Sequence, residues 1–305
     1  MQKKYIYPFI SYLLYLSTIF VPFFGLFMSF LSPYYLLKFF ESVNKNKGIY
    51  LYYILILGVL TLIFPIVNVV YIIIFIIIAC NIFLYFKDKL IDKKNLIIKG
   101  GINPVAISFL PAIILTICFL FFYNFDDKLY NILIKGFSNF ENIIGTNAGN
   151  DYIKYLNENK IVITRQLVLL MPSFVSLYII LLTYFTIKIF YKRQNIAIYY
   201  QTPDYFIPVF LLLGFAILIN SPIFKYISYN TLIIFGTLFL LQGLDLLTYA
   251  MNIWHIRGLF RIIIYIIILG QLPFMFFLVL IGLFDNWFCF MKLLSKKDKN
   301  DQIKK

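Results

Sequence analysis

Histidine, cysteine and acidic residues are scarce in this chain of 305 residues, and the scarcity of the first two limits its chemistry. His255 is the only histidine, so a single chain cannot build a metal site from several imidazoles. Cys80, Cys118 and Cys289 stand singly in or beside apolar segments, without the spacing of a metal site or a disulfide framework. We therefore expect no metal and no other cofactor, and we interpret the cysteines as small buried hydrophobic residues.

Catalytic sequence motifs are absent as well. The chain has no G-x-S-x-G nucleophile turn, no G-x-x-x-x-G-K-[ST] phosphate loop, no H-E-x-x-H and no C-x-x-C. No constellation of acids and bases indicates catalysis on a lipid either. The sequence therefore predicts a protein that is not an enzyme, and a transporter built on this chain would need a partner protein to hydrolyse ATP.

Apolar residues are what the chain has in excess. They make up 62% of the positions, against roughly 45–50% in a soluble domain. They form long runs, separated by short polar linkers, and a run of about 20 residues is enough to cross a bilayer. This pattern predicts an all-α, polytopic transmembrane helical bundle of about eight to ten helices, some of them short or broken. We expect residues 1–291 to form a single transmembrane domain.

The positive charge has the distribution of a membrane protein. A net charge of +14 would indicate a nucleic-acid partner in a soluble chain, but here the lysines and arginines cluster between apolar runs. We predict contact with the bilayer and its anionic lipid headgroups, and no nucleic acid. Residues 292–305 are predicted to be a basic cytoplasmic tail. Residues 124–165 are polar but have no net charge, and they are predicted to be an outer loop. A composition rich in isoleucine and lysine favours a bacterial source, and hence a multi-pass protein of the bacterial inner membrane.

Prolines and glycines predict where the helices break. The first apolar run should break at Pro22 and resume as a second, shorter helix to about Phe40. The last run, residues 262–291, either continues as one span or breaks within residues 270–273, which contain a glycine and a proline. The basic tail lies outside in the first case and inside in the second.

Asp245 is the candidate of greatest interest, because it is an acid inside a long apolar run. Gln242 and Tyr249 share its face at a helical step of about 100° per residue. A carboxylate at a helix centre costs roughly 2.5–3.5 kcal/mol on insertion scales, so it usually faces a partner or a wet cavity. Gln242, Asp245 and Tyr249 are therefore the predicted solute-binding residues. The alternative is that Asp245 only orders the end of its helix, paired with a neighbour among Tyr249, His255, Arg257 and Arg261.

The order of five segments resembles the bacterial YybS-like membrane family, also known as DUF2232. They are VPFFGLFMSFLSPYYLL, LLMPSFVSLYIILL, YKRQNIAIYYQTPDYFIP, QGLDLLTY and GLFDNWFCFMKL, and together they span most of the chain. That family is remotely similar to the substrate-capturing components of energy-coupling-factor vitamin transporters, so the resemblance implies a fold and a possible energising partner protein. The first helix departs from such capture components, because SYLLYLSTIF lacks the Ala-x-x-x-Ala seam used for docking.

Two functions follow as hypotheses. In the first, the protein binds or translocates a small solute through its helical core, with Asp245 and Gln242 as polar contacts. In the second, it is a non-transporting membrane scaffold or regulatory protein, in which these residues pack helices and the charged linkers meet a partner.

Overall fold

The computed structural model of the chain describes residues 3–43, 53, 57–58, 61–86, 95–98, 103–108, 110, 130–131, 133–136, 158–194, 196–290 and 292–294. This part of the chain is almost entirely helical, which confirms the prediction of an all-α, polytopic membrane fold. Most of the predicted outer loop and most of the predicted tail lie outside the described residues. The side on which each would lie stays a prediction.

The amino-terminal run folds into three helices: α1 (Lys3–Phe20), α2 (Pro22–Ser29) and α3 (Ser32–Val43). Pro22 begins α2 because a proline at the first helical position loses no hydrogen bond. Helix α2 returns so closely onto α1 that a Cβ at Gly25 would collide with the backbone of Ser17. The predicted break at Pro22 is confirmed, and a further break, at residues 30–31, separates α2 from α3.

The next described helix is irregular in its middle. It begins as α4 (Pro65–Tyr71), widens into a π-helical turn (Ile72–Ile76) and continues as α5 (Ile77–Phe86). A short strand β1 (Asn95–Ile98) and a single helical turn α6 (Pro104–Ile107) follow. A π-helical turn admits an extra residue into the helix, so it shifts the side chains on either side of it out of regular helical register.

Three helices occupy the middle and later parts of the chain: α7 (Lys160–Lys192), α8 (Phe206–Ala216) and α9 (Pro222–Ile253). Strand β2 (Ala197–Tyr200) lies between α7 and α8 and pairs in parallel with β1, with Asn95 opposite Ala197. This small sheet was not predicted. Helices α7 and α9 are long and apolar enough to cross a membrane, whereas α8 has 11 residues and is shorter than the bilayer core.

A proline inside α7 is compensated by a side chain of α9. Pro172 has no N–H and disturbs the helical hydrogen bonds around it. Asn230 Oδ1 accepts a bond of 3.0 Å from the N–H of Ser173, and Asn230 Nδ2 donates one of 2.8 Å to the carbonyl of Leu169. The amide of Asn230 thus satisfies both a donor and an acceptor that the helix leaves open at this point.

The last apolar run is broken into two helices, as in the second of the two predicted alternatives. Helix α10 (Gly258–Gly270) ends before Gln271, and α11 (Leu272–Phe288) leaves that residue at an angle of 101° to it. Taken together, this bent pair is long and apolar enough to count as one broken span or a re-entrant loop.

The chain separates into two compact units. Unit 1 comprises residues 1–108, 179–204 and 237–305, and unit 2 comprises residues 109–178 and 205–236. The separation reflects local packing within each unit, so the single domain expected over residues 1–291 stays a prediction. Everything described below for Asp245 and its neighbours belongs to unit 1.

Candidate functional site

Asp245 lies in the interior of unit 1 with both carboxylate oxygens occupied by groups of its own chain. Only 1% of its side chain is exposed. Its Oδ1 accepts a hydrogen bond of 2.5 Å from the hydroxyl of Tyr184 and lies 2.6 Å from the ammonium of Lys188, both on α7. Its Oδ2 accepts a bond of 2.6 Å from the backbone N–H of Tyr200 in β2. The negative charge is therefore balanced by a lysine and stabilised by two further donors.

Three helix side chains line one edge of β2 and replace a neighbouring strand. In an extended chain, the backbone groups of alternate residues point to the same edge, and here those residues are 198, 200 and 202. Lys188 donates to the carbonyl of Ile198 and Asp245 accepts from Tyr200. Gln242 Oε1 accepts a bond of 2.9 Å from the N–H of Thr202. One carbonyl and two N–H groups of this buried stretch are thus bonded by helix side chains.

Gln242 joins this edge to a third helix. While its oxygen accepts from Thr202, its Nε2 donates to Asp285 Oδ2 at 3.0 Å and to Asn286 Oδ1 at 3.3 Å, both on α11. Gln242 and Asp285 are both buried. The side chain, which α9 carries, therefore hydrogen-bonds both α11 and the segment after β2.

Tyr249, the third predicted site residue, contacts the same segment through its ring. It packs edge-on against Tyr199 with ring centroids 5.2 Å apart. Tyr199 also accepts a long hydrogen bond of 3.4 Å from Asn252, and burial raises the pKa of its phenol above the usual value. Gln242, Asp245 and Tyr249 share one face of α9, and that face is turned to β2 and the residues that follow it.

Lys188 is the cation of the site and is held from several sides. Its ammonium lies 5.3 Å from the ring centroids of both Tyr184 and Tyr199, within the range of a cation–π interaction. Its side chain is 25% exposed, so the ion pair is deeply buried at the carboxylate and less so at the ammonium. Such a pair is kept in an apolar environment only when further hydrogen bonds support both partners.

Two glycines let α9 and α11 approach closely beside the network. A Cβ on Gly243 would collide with the carbonyl oxygen of Leu278, and one on Gly282 would collide with the carbonyl oxygen of Phe239. Small residues at a crossing allow two helix backbones to meet in this way. Gly243 follows Gln242 directly in α9. The close crossing therefore holds the Gln242 side chain beside Asp285 and Asn286 of α11.

The alternative partners predicted for Asp245 from its own helix end do not form the pair. Helix α9 ends at Ile253, and His255 is exposed with a left-handed φ of 53°, in the position that closes a helix. Arg261 donates to Asn252 Oδ1 at 2.6 Å and to the carbonyl of Ile256 at 2.8 Å. Asp245 is paired instead with Lys188 of α7, while Arg261 folds back only as far as the last turn of α9, at Asn252.

Sequence reasoning overlooked Lys188, and one signal could have found it. Lys188 interrupts an apolar run, TYFTIKIFY, one turn before the basic end of α7, and no role was predicted for it. An acid in one apolar run and a base in another are expected to pair, because each is costly alone. The β2 segment, IAIYY, is also β-branched and aromatic, a composition typical of a strand.

The described residues contain no group of three or more histidine, cysteine, aspartate and glutamate side chains that could hold a metal ion. Comparison with known proteins gives a match of residues 9–286 to the family described as "Predicted membrane protein (DUF2232)". No curated protein matches the chain, and no solved structure does.

Proposed function

Because the chain belongs to the DUF2232 family of predicted membrane proteins, we propose that it is a non-enzymatic, non-transporting scaffold or regulatory protein of the bacterial inner membrane. In this role Asp245 and Gln242 hold a folded linker segment against the helices. The segment comprises residues 197–202, and its backbone is hydrogen-bonded to both side chains.

One observation carries the proposal: every polar group of the buried carboxylate is engaged within the chain. A solute amine or cation would have to displace Lys188, Tyr184 and the N–H of Tyr200 from Asp245. Removing one partner of a buried pair leaves the other charge uncompensated, at a cost of roughly 3–5 kcal/mol. The solute would have to repay this cost, so the arrangement favours a permanent structural contact.

The held segment is preceded by an exposed, charged corner. Lys192, Arg193 and Gln194 are exposed between α7 and β2. Arg193 donates a bond of 2.5 Å to the hydroxyl of Tyr34, and Gln194 donates one of 3.3 Å to Glu41. The corner is therefore fixed in place, and it carries the positive charges of Lys192 and Arg193. We propose that it meets an acidic surface of a partner membrane protein, or anionic lipid headgroups.

Binding of a small solute at Gln242, Asp245 and Tyr249 is the second candidate, and the partial exposure of Lys188 favours it. The Lys188 side chain is 25% exposed, so in this candidate another cation replaces it at Asp245. In this candidate the energy for transport comes from a partner protein, as the resemblance to capture components implies.

A neutral but hydrogen-bonding replacement of the ion pair separates the two candidates. Asp245→Asn combined with Lys188→Gln keeps an acceptor for Tyr200 and a donor for Ile198, while it removes both charges. The scaffold role predicts that this double variant keeps its abundance in the membrane and restores growth fitness to a strain lacking the native gene. Normal abundance with lost fitness would contradict the scaffold role and favour a charged solute site. Asp245→Asn alone is the matched control, because it leaves Lys188 uncompensated and lowers abundance.

A further inference from the structure

An apolar cavity in the amino-terminal helices of unit 1 lies apart from the Asp245 network. Its volume is about 310 Å³, within the lower part of the range of small-molecule sites. Side chains from α3, the π-helical turn, α5 and the residues before α4 form its walls. They include Phe40, Tyr53, Leu57, Ile76, Cys80 and Phe83.

The π-helical turn contributes to the wall of the cavity. Ile76 is the last residue of that turn, and Cys80 and Phe83 follow it on the same side of α5. The space is open on one side, where Leu84 of its wall is exposed. Single π-helical turns occur frequently at functional sites.

The walls are apolar and held in place by their own contacts. The hydroxyl of Tyr53 lies 3.2 Å from that of Tyr71, which lies 2.8 Å from the hydroxyl of Ser11. The rings of Phe40 and Phe83 pack with centroids 5.9 Å apart. Among the described wall residues, the phenol of Tyr53 is thus bonded to its own chain, and the others are hydrocarbon apart from the thiol of Cys80.

The cavity opens on the side of α5 that carries exposed apolar residues. Leu84 lines the cavity and is 67% exposed, and Ile77, two turns earlier on the same helix, is 54% exposed. In a membrane protein, exposed isoleucine and leucine side chains face lipid. A ligand with this cavity's chemistry would therefore arrive from the bilayer and not from water.

We propose that the cavity binds the hydrocarbon chain of an amphiphile, either a free fatty acid or the acyl chain of a membrane lipid. The inference is independent of the scaffold proposal, since no residue of the Asp245 network lines the cavity. The described wall residues offer a polar solute only a phenol already bonded to Tyr71 and a thiol, whereas a hydrocarbon chain contacts them without losing hydrogen bonds.

Photolabelling of the full chain in nanodiscs tests the proposal. The probe is a palmitic acid analogue that carries a diazirine in the middle of its chain, and the labelled residues are read by mass spectrometry. We expect labelling at residues 76–84 that is suppressed by excess palmitate or by a change of nanodisc lipid. Suppression by palmitate identifies a free fatty acid as the occupant, and suppression by lipid alone identifies an acyl chain of the bilayer.

Two variants with similar added volume distinguish the cavity from the lipid-facing surface. Cys80→Phe fills the cavity and should abolish the suppressible labelling, whereas Ile77→Phe adds bulk on the exposed face and should retain it. Labelling that is spread over exposed apolar residues, unaffected by competitors or by Cys80→Phe, would overturn the proposal.

A second measurement avoids any change to the cavity wall. In a chain with Cys118→Ser and Cys289→Ser, Cys80 is the remaining thiol, and its alkylation by N-ethylmaleimide can be timed in detergent. Saturating palmitate should slow the reaction several-fold. An unchanged rate at saturation would overturn the proposal even if Cys80→Phe does not fold.

Discussion

Replacing Asp245 by asparagine removes the negative charge from the interior of unit 1 and leaves its partners in place. The ammonium of Lys188 then has no counter-charge within 2.6 Å, although it keeps the carbonyl of Ile198 as an acceptor. Breaking a buried ion pair by removing one partner costs roughly 3–5 kcal/mol. Because Lys188 is 25% exposed and retains some hydration, we expect a loss near the lower limit, about 3 kcal/mol.

The companion variant, Lys188→Met, should be at least as costly. It leaves a carboxylate that is 1% exposed with the hydroxyl of Tyr184 and the N–H of Tyr200 but no cation. The double variant, Asp245→Asn with Lys188→Met, has no buried charge left unpaired. Its loss of unfolding free energy should therefore be smaller than the sum of the losses in the two single variants. Neighbouring residues couple by about 0.5–3 kcal/mol, and we expect a coupling of about 2 kcal/mol here.

The assay is unfolding of the purified protein in mixed micelles with increasing dodecyl sulfate, followed by tryptophan fluorescence. All four proteins of the cycle are measured at one pH and salt concentration, because screening weakens exposed charges more than buried ones. Strictly additive losses would refute the ion pair as a stabilising contact. So would a single Asp245→Asn variant with wild-type stability.

Three further variants test separate contacts. Gly282→Val should destabilise the protein by about 1–3 kcal/mol, because the added Cβ collides with a carbonyl of α9. Gly236→Val is the control, because beyond the backbone of its own helix the added Cβ meets no atom within 4 Å and causes no overpacking. Equal thermal midpoints for the two variants would argue against the close crossing. Asn230→Ala should cost about 1–3 kcal/mol because the N–H of Ser173 loses its acceptor, and an unchanged midpoint would show that α7 needs no such compensation. Gln242→Leu should cost a similar amount, about 1–3 kcal/mol, by leaving a buried backbone N–H unpaired, and unaltered unfolding in dodecyl sulfate would contradict this.

The helical fold and its breaks could be predicted because their causes are local. A proline removes a donor and a run of apolar residues satisfies its own backbone as a helix, whatever surrounds it. The break at Pro22 follows from such local rules, and the break within residues 270–273 is one of the two alternatives that they allowed. The shared face of Gln242, Asp245 and Tyr249 follows from the helical period in the same way.

The partner of Asp245 could not be obtained from the same rules. Helical periodicity says which residues of α9 share a face, but not which other helix that face meets. Lys188 is on a separate helix, and its pairing depends on how α7 and α9 pack within unit 1. The parallel pairing of β1 with β2 also joins segments far apart in the chain, so no local turn signal marks it.

Amide hydrogen exchange in residues 197–202 tests most directly whether Asp245 holds β2 in place through its hydrogen bond to Tyr200. The N–H groups of Tyr200 and Thr202 end on Asp245 and Gln242, so they should exchange as slowly in the wild type as the amides of α9. In an Asp245→Leu, Lys188→Leu variant, which lacks the acceptor but leaves no unpaired charge, the N–H of Tyr200 should exchange much faster while α9 stays protected. Rapid exchange of this segment in the wild type, or the same slow exchange in both proteins, would contradict the account.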